Sequence, residues 1–449
     1  MKCLELYETK QNEVGGMVYD VRRSSLEKIA DTLFYVVMLL FTIERAFISE
    51  GSGAFIQYFI LLFTFFALFS WRIYFKKFHV AIIFYILFLV VGTYSDLRTI
   101  GGYSNRIIWN LMRAWIGCFL MIPAYNMARR SHSKSLTIIY CLLFFSCATA
   151  ICQFLGVGTS ELGVERGVAG ERLATFGANA NGTARVVALA VLFAAIVLIG
   201  GIKFRNPVNA IICVALSIVC MYAMVKTGSR GGLVACVVAI TGLVFTTSNI
   251  SKKMACIFAG CLLLAILAFV VLNSQNMLDR IGNTIYGEDT GGRNEIRAIC
   301  RELWGDAKLC GYGCTAHQYI IGDYLTENIF GFKIPDYRKA THNTYYYGFM
   351  SGGIIGAAFY YFALGLIAWK SFKMRKYTYG NYLFLVVILM LSSGWVMNIE
   401  NNKWLFVVYG VVLGMEEKIR MDKKMGLPSI LVEVDRPRFA FTNSWNNWS

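Results

Sequence analysis

Apolar residues fall in long uninterrupted blocks along this chain instead of alternating with polar ones. A bilayer is crossed by about 20 apolar residues in a helix. Blocks of that order occupy residues 29–48, 53–71, 79–95, 107–127, 135–156, 183–202, 207–225, 231–247, 254–272, 344–369, 381–398 and 403–415. Polar gaps separate them, one being only the TGSR that follows Lys226. The pattern predicts an all-α integral membrane protein with about 12 transmembrane helices.

The gaps alternate in charge. Taken every second one from the N-terminus, they hold Arg22-Arg23, Arg72/Lys76/Lys77, Arg129/Arg130/Lys134, Lys203/Arg205, Lys252/Lys253, Lys370/Lys373/Arg375/Lys376 and Lys418/Arg420/Lys423/Lys424. The short gaps between are poor in Lys and Arg. Basic loops stay on the cytoplasmic side, so both termini are expected there. The expected organisation is a cytoplasmic segment 1–28, transmembrane helices over 29–272, an extracytoplasmic loop 273–341, three further helices over 342–415 and a cytoplasmic tail 416–449. The polar N-terminal segment lacks the apolar core of a cleavable signal peptide.

The outer side receives two longer segments, 157–182 and 273–341. The second holds 8 Lys or Arg and 9 Asp or Glu, and at 69 residues it is too long to be structureless. It is expected to form a cap. Within it Ile296, Ile299, Cys300, Leu303 and Trp304 recur at helical spacing, with Arg293, Arg297 and Arg301 as a stripe on another face.

Composition agrees with a lipid-embedded protein: 57% hydrophobic residues, 16% charged and mean hydropathy +0.54, against roughly 25% charged for a soluble domain. The net charge of +16 would suggest nucleic-acid binding in a soluble protein; here the basic residues sit in the short gaps that set orientation. Most of the 13 Cys lie inside apolar blocks, as Cys213, Cys220, Cys236 and Cys261 do. They read as small apolar packing residues. Cys300, Cys310 and Cys314 fall in the large loop, where a disulfide is open but not demanded.

Candidate chemistry gathers on the outer side. GERLATFGANANGTARVV (170–187) places Arg172 in a Gly- and Asn-rich turn and Arg185 just inside the membrane. TGSRGG (227–232) sets Arg230 among glycines, EDTGGR (288–293) ends in Arg293, and THNTYYYGFMSGGIIG (341–356) places His342 where the large loop re-enters the membrane. A single arginine at a membrane edge is as readily explained by snorkelling to headgroups. Several on the less basic face suit a phosphate or diphosphate, which guanidinium groups grip with paired N–H donors. The chain has only 4 His, and imidazole is the side chain best suited to accept a proton near neutral pH. Asn343 could orient it or bind a sugar hydroxyl. No metal-ligand spacing appears, and Glu161, Glu165, Glu171, Glu288 and Asp289 read mostly as solvated loop charges. No cofactor and no metal are expected. GGIIG (352–356) reads as a site of close helix packing.

The pattern resembles the superfamily of O-antigen ligases and Wzy-type O-antigen polymerases. The shared marks are Ser229-Arg230-Gly231 opening a helix, the large late outer loop with Gly311-Tyr312-Gly313, and His342-Asn343 followed by Gly353-Ile354-Ile355-Gly356. Arg172 to Asn181 is similar to the family's Arg…Gly…Pro-Asn motif, with Ala180 in place of Pro. The resemblance covers residues 165–400 and implies a GT-C-like membrane glycosyltransferase. Its donor would be a glycan on undecaprenyl diphosphate. Its acceptor would be a lipid-linked repeat unit in a polymerase, or lipid A–core in a ligase, and a chain-length regulator could be a partner. The likeness implies Arg230 and Arg293, helped by Arg172, on the diphosphate. It implies His342 as the base, an inverting displacement and no metal. Polymerase is preferred, as the more numerous class. A flippase for a lipid-linked sugar is the rival; it would show a sequence repeat and a mid-membrane site, and no repeat is seen. A non-enzymatic scaffold is a second rival, and it gives no reason for Arg230 and His342 to share a face.

Overall fold

The computed structural model describes residues 25–43, 53–100, 105–155, 159–161, 173–175, 180–198, 207–246, 293–332, 337–400 and 402–426, with scattered residues of 253–278. The expected helix at 254–272 therefore lies largely outside the described residues, as do most of the two terminal segments.

Every other apolar block is a helix. They are α1 (Ser25–Ile43), α2 (Gly53–Tyr74), α3 (Val80–Ile100), α4 (Asn105–Arg130), α5 (His132–Phe154), α6 (Ala180–Leu198), α7 (Pro207–Lys226), α8 (Arg230–Thr246), α11 (Thr344–Lys373), α12 (Thr378–Ser393) and α13 (Lys403–Lys424). Between α8 and α11 come α9 (Arg293–Leu303) and α10 (Ala316–Leu325). Two three-residue strands, β1 (Thr159–Glu161) and β2 (Leu173–Thr175), pair antiparallel with Thr159 opposite Thr175. Among the described residues five helices are long and apolar enough to cross a membrane, within α3, α5, α6, α7 and α11. The chain is a multi-pass helical membrane protein.

Small residues set the closest helix contacts. A Cβ on Gly410 or Gly414 of α13 would collide with the Met121 and Tyr125 carbonyls of α4, so this small-xxx-small pair lets two backbones touch. Gly352 and Gly356 of α11 face the Phe88 side chain of α3, where a Cβ would meet it at ordinary contact distance. Helix α6 is central: its apolar window is 94% buried, so protein and not lipid surrounds it. The final helix outruns its apolar block, which ends at Met415, because the following EEKIRMDKK has strong helix propensity and its charges find partners. Glu416 pairs with Lys370 at 2.8 Å, Glu417 with Arg129 at 2.9 Å and Asp422 with His132 at 2.9 Å. At the same end Lys134 pairs with Glu27 at 2.7 Å and Asp31 at 2.9 Å. The start of α1 and the end of α13 thus share one end of the bundle.

The cap docks at the other end. Helix α9 buries Ile296, Ile299, Cys300 and Leu303 against Ile321, Leu325 and Met350. At about 1.5–3 kcal/mol per large apolar side chain, this face fastens it. Asp96 of α3 accepts the Thr315 and Ala316 N–H groups at 2.9 and 2.7 Å, which anchors the start of α10.

The GGIIG stretch does more than ease packing. Gly353, at φ 59°, breaks α11, and loop residues 308–313 fill the break. The Tyr312 and Gly313 N–H groups donate to the Met350 and Ser351 carbonyls at 2.8 and 3.0 Å. The Ile354 and Ile355 N–H groups donate to the Lys308 and Leu309 carbonyls at 2.8 and 3.1 Å. Two carbonyls before the kink and two N–H groups after it are satisfied in this way, as burial requires. Gly311 and Gly353 meet backbone to backbone with no room for a Cβ on either. The thiols of Cys300, Cys310 and Cys314 are all free.

Candidate functional site

Arg230 is the first residue of α8, and its turn is built by its neighbours. Gly228 takes φ 60°, a conformation open to glycine without cost. The Ser229 hydroxyl accepts the Gly232 N–H at 3.1 Å, the bond of a helix N-cap. Gly231 abuts Val396, and Gly232 abuts Ala184. The guanidinium is thus carried on a helix N-terminus, where free N–H groups and the helix dipole already favour an anion.

The 170–187 motif joins this turn from α6. Asn181 Oδ1 accepts the Ser229 hydroxyl at 2.7 Å, and Arg185 Nε donates to the Asn181 carbonyl at 3.3 Å. Arg185 is 2% exposed. Its charge acts on Glu400, a carboxyl that burial pushes up to about 7 against the opposing hydrogen bonds of Tyr360 and Thr344. Arg172 lies outside the described residues, directly before β2.

His342 precedes α11 and has φ 49°, the one non-glycine residue with positive φ among those described. Burial first, then the charges of Lys339 and Arg293, lower its pKa from 6.5 to about 4. Arg293, the first residue of α9, is therefore within electrostatic reach of the histidine. Lys339 was not anticipated. Arg297, one turn beyond Arg293, donates to the Trp395 carbonyl at 3.0 Å and lies over the Trp395 ring.

Asn343, read from the sequence as able to orient the imidazole or bind a sugar hydroxyl, is held by groups of the protein itself. It is fully buried. Its Oδ1 accepts the Tyr345 and Tyr346 N–H groups at 2.8 and 3.1 Å, capping α11, and its Nδ2 donates to the Trp395 carbonyl at 2.9 Å. An amide committed to a cap and a carbonyl fixes the backbone beside His342 and does not reach a ligand.

One segment that the sequence reading passed over, 394–400 between α12 and α13, connects these parts. Val396 backs the Arg230 turn, and the Trp395 carbonyl receives Arg297 and Asn343. Asn398 and Ile399 bond the stretch 341–344, and Glu400 meets Tyr360. The Arg230 turn packs on this segment through Gly231, the 341–344 stretch that carries His342 bonds to it, and Arg297, one turn beyond Arg293, donates to it. Beside them, a cavity of about 330 Å³ opens between α9 and α11, lined by Cys300, Arg301, Trp304, Tyr345, Tyr346, Phe349 and Met350. Its walls are almost wholly apolar. No group of three or more His, Cys, Asp or Glu among the described residues could hold a metal ion.

The chain is thus a helical membrane protein with a helix-capped arginine, a desolvated imidazole and an apolar cavity between α9 and α11. Residues 215–361 match the family model described as O-antigen ligase. The match runs from α7 into α11 and contains Arg230, Arg293 and His342, so the resemblance read from the motifs is shown over these residues. A comparison with curated proteins finds no match.

Proposed function

We propose that the protein is a membrane glycosyltransferase that moves a glycan from a polyprenyl diphosphate, undecaprenyl diphosphate in bacteria, to an acceptor sugar hydroxyl. The reading is supported chiefly by one observation, that the Arg230 turn, the start of the Arg293 helix and the 341–344 stretch all meet the 394–400 segment. The acceptor oxygen attacks the anomeric carbon as the bond from that carbon to the diphosphate oxygen breaks, inverting the centre. The acceptor's proton goes to the His342 imidazole, and the bonding pair leaves with the diphosphate. Arg230 and Arg293, with Arg172 assisting, stabilise the charge that develops there. No metal is required.

The depressed basicity of His342 fits this order of events. With the site empty, the imidazole is neutral at physiological pH and able to accept a proton. A bound diphosphate offsets the charges of Arg293 and Lys339, which raises the imidazole's affinity for a proton once the donor is in place. The apolar cavity suits the prenyl end of the donor. The site faces the outer side of the inner membrane, and both termini face the cytoplasm.

Within this chemistry the protein is a surface-polysaccharide polymerase, with a lipid-linked repeat unit as acceptor. The description of the matched family favours a second reading, a ligase acting on lipid A–core. Deleting the gene in its host and resolving the surface glycan on a gel separates them. A single repeat on core marks a lost polymerase. Bare core with accumulated lipid-linked polymer marks a lost ligase. An unchanged glycan ladder would sink both.

A further inference from the structure

His342, at φ 49°, holds a left-handed backbone conformation that a non-glycine residue keeps only when its surroundings impose it. The residues on either side of it share one acceptor. Asn398 Oδ1 takes the Thr341 hydroxyl at 2.7 Å and the Asn343 N–H at 2.9 Å. All three partners are buried, Asn398 at 6% exposure. Around this staple, Ile399 N–H donates to Thr344 Oγ1 at 2.9 Å, Thr344 N–H donates to the Gly394 carbonyl at 2.8 Å, and Asn343 Nδ2 binds the Trp395 carbonyl. The stretch 341–344 is thus held along its length by the segment that also backs Arg230.

We infer that Asn398 is a positioning residue for His342, one amide oxygen clamping the chain before and after the histidine and so fixing where its ring stands relative to the arginines. This rests on the base role proposed above. Asn398 touches no substrate, and its effect passes through the backbone it holds. Both bonds require an acceptor on a short side chain. Asp supplies one at the same length, and Ala supplies none. A small displacement of a reacting group costs about a hundredfold in rate, so loss of the clamp is expected to show in turnover.

The test uses the full-length protein in lipid nanodiscs, with lipid-linked glycan extracted from the deletion host as donor. Asn398→Ala is expected to lower turnover about a hundredfold with little change in donor KM, and Asn398→Asp to regain most of it. Histidine-labelled samples are read by NMR, with the His342 ring signals assigned through His342→Gln. Those signals move in Asn398→Ala and hold in Asn398→Asp, while those of His79 and His132 stay put. Thr341→Val, which removes one of the two bonds with little change of shape, moves them in the same direction. It serves as the reading if Asn398→Ala does not accumulate. Normal turnover in Asn398→Ala, or lost turnover with unmoved His342 signals, overturns the inference. Normal turnover in His342→Gln removes the base role instead, however Asn398→Ala behaves, so the two failures are told apart.

Discussion

The charge of Arg293 reaches the imidazole of His342 and, behind burial and Lys339, helps hold it at about 4. Two residues from separate motifs are thereby parts of one electrostatic unit. In the empty enzyme the acid limb of kcat/KM for transfer reports this group. Activity should persist as pH falls and drop only as pH approaches 4. Arg293→Gln removes one of the depressing charges, so the limb should move upward, towards the ordinary 6.5. A limb at the same pH in both proteins, measured with the extracted donor, would show that Arg293 does not govern this histidine.

Arg230→Ala and His342→Ala should each lower glycan transfer by roughly a hundredfold or more while the protein still reaches the membrane. Arg230→Lys should restore only part of the loss, because an ammonium lacks the paired donors of the guanidinium. Chain-length gels and membrane immunoblots of the complemented deletion host measure both quantities. Normal ladders from either alanine variant would end the mechanism.

Stability should fall in mild acid. Burial also lowers His317 in the cap to about 4, against a hydrogen bond to the Gly313 carbonyl. A histidine with a lowered folded-state pKa favours the fold above 6.5, and that contribution is lost as pH falls from there through 4. The thermal unfolding midpoint of detergent-solubilised protein should therefore decline across this window. His317→Phe, which keeps the ring packed on Tyr347, should flatten the decline. An equal slope in the variant would exclude His317 as a source.

Gly311→Ala and Gly353→Ala should loosen the cap. Each forces a left-handed residue, costing about 1–3 kcal/mol, and each drives a Cβ into backbone. Gly305→Ala, where a Cβ meets nothing within 4 Å, is the matched control and should stay within about 0.5 kcal/mol of wild type. Limited proteolysis of the cap reads the difference. Equal digestion of all three would deny that the inserted loop segment secures the break in α11.

Transfer should be indifferent to chelators, since arginines can stabilise the leaving diphosphate unaided. Loss of activity on chelation, restored by added divalent cation, would contradict this.

Much of the architecture was legible because apolar length and Lys/Arg placement are one-dimensional signals. The Arg230 turn was legible for a similar reason: cap, cation and glycines are consecutive. Asn343 carried a readable signal of another kind, since an Asn directly before a helix is first of all an N-cap. Asn398, Glu400 and Lys339 were missed because their importance lies in what they touch across the fold. Arg185 was noticed only as a membrane-edge cation, and its electrostatic link to Glu400 has no trace in local sequence. The insertion of residues 308–313 into α11 is likewise invisible, because backbone pairing leaves no side-chain code. Gly353 hinted at a break without naming its filler.

That insertion ties the birth of the enzyme to the order of its synthesis. Residues 308–313 leave the ribosome before the strand of carbonyls and amides they must meet in α11. The 394–400 segment that steadies His342 comes later still. Through most of translation the arginines are present but unorganised. A chain halted before the last helices therefore lacks the bonds that hold 341–344, and the site proposed here is complete only when synthesis is nearly so.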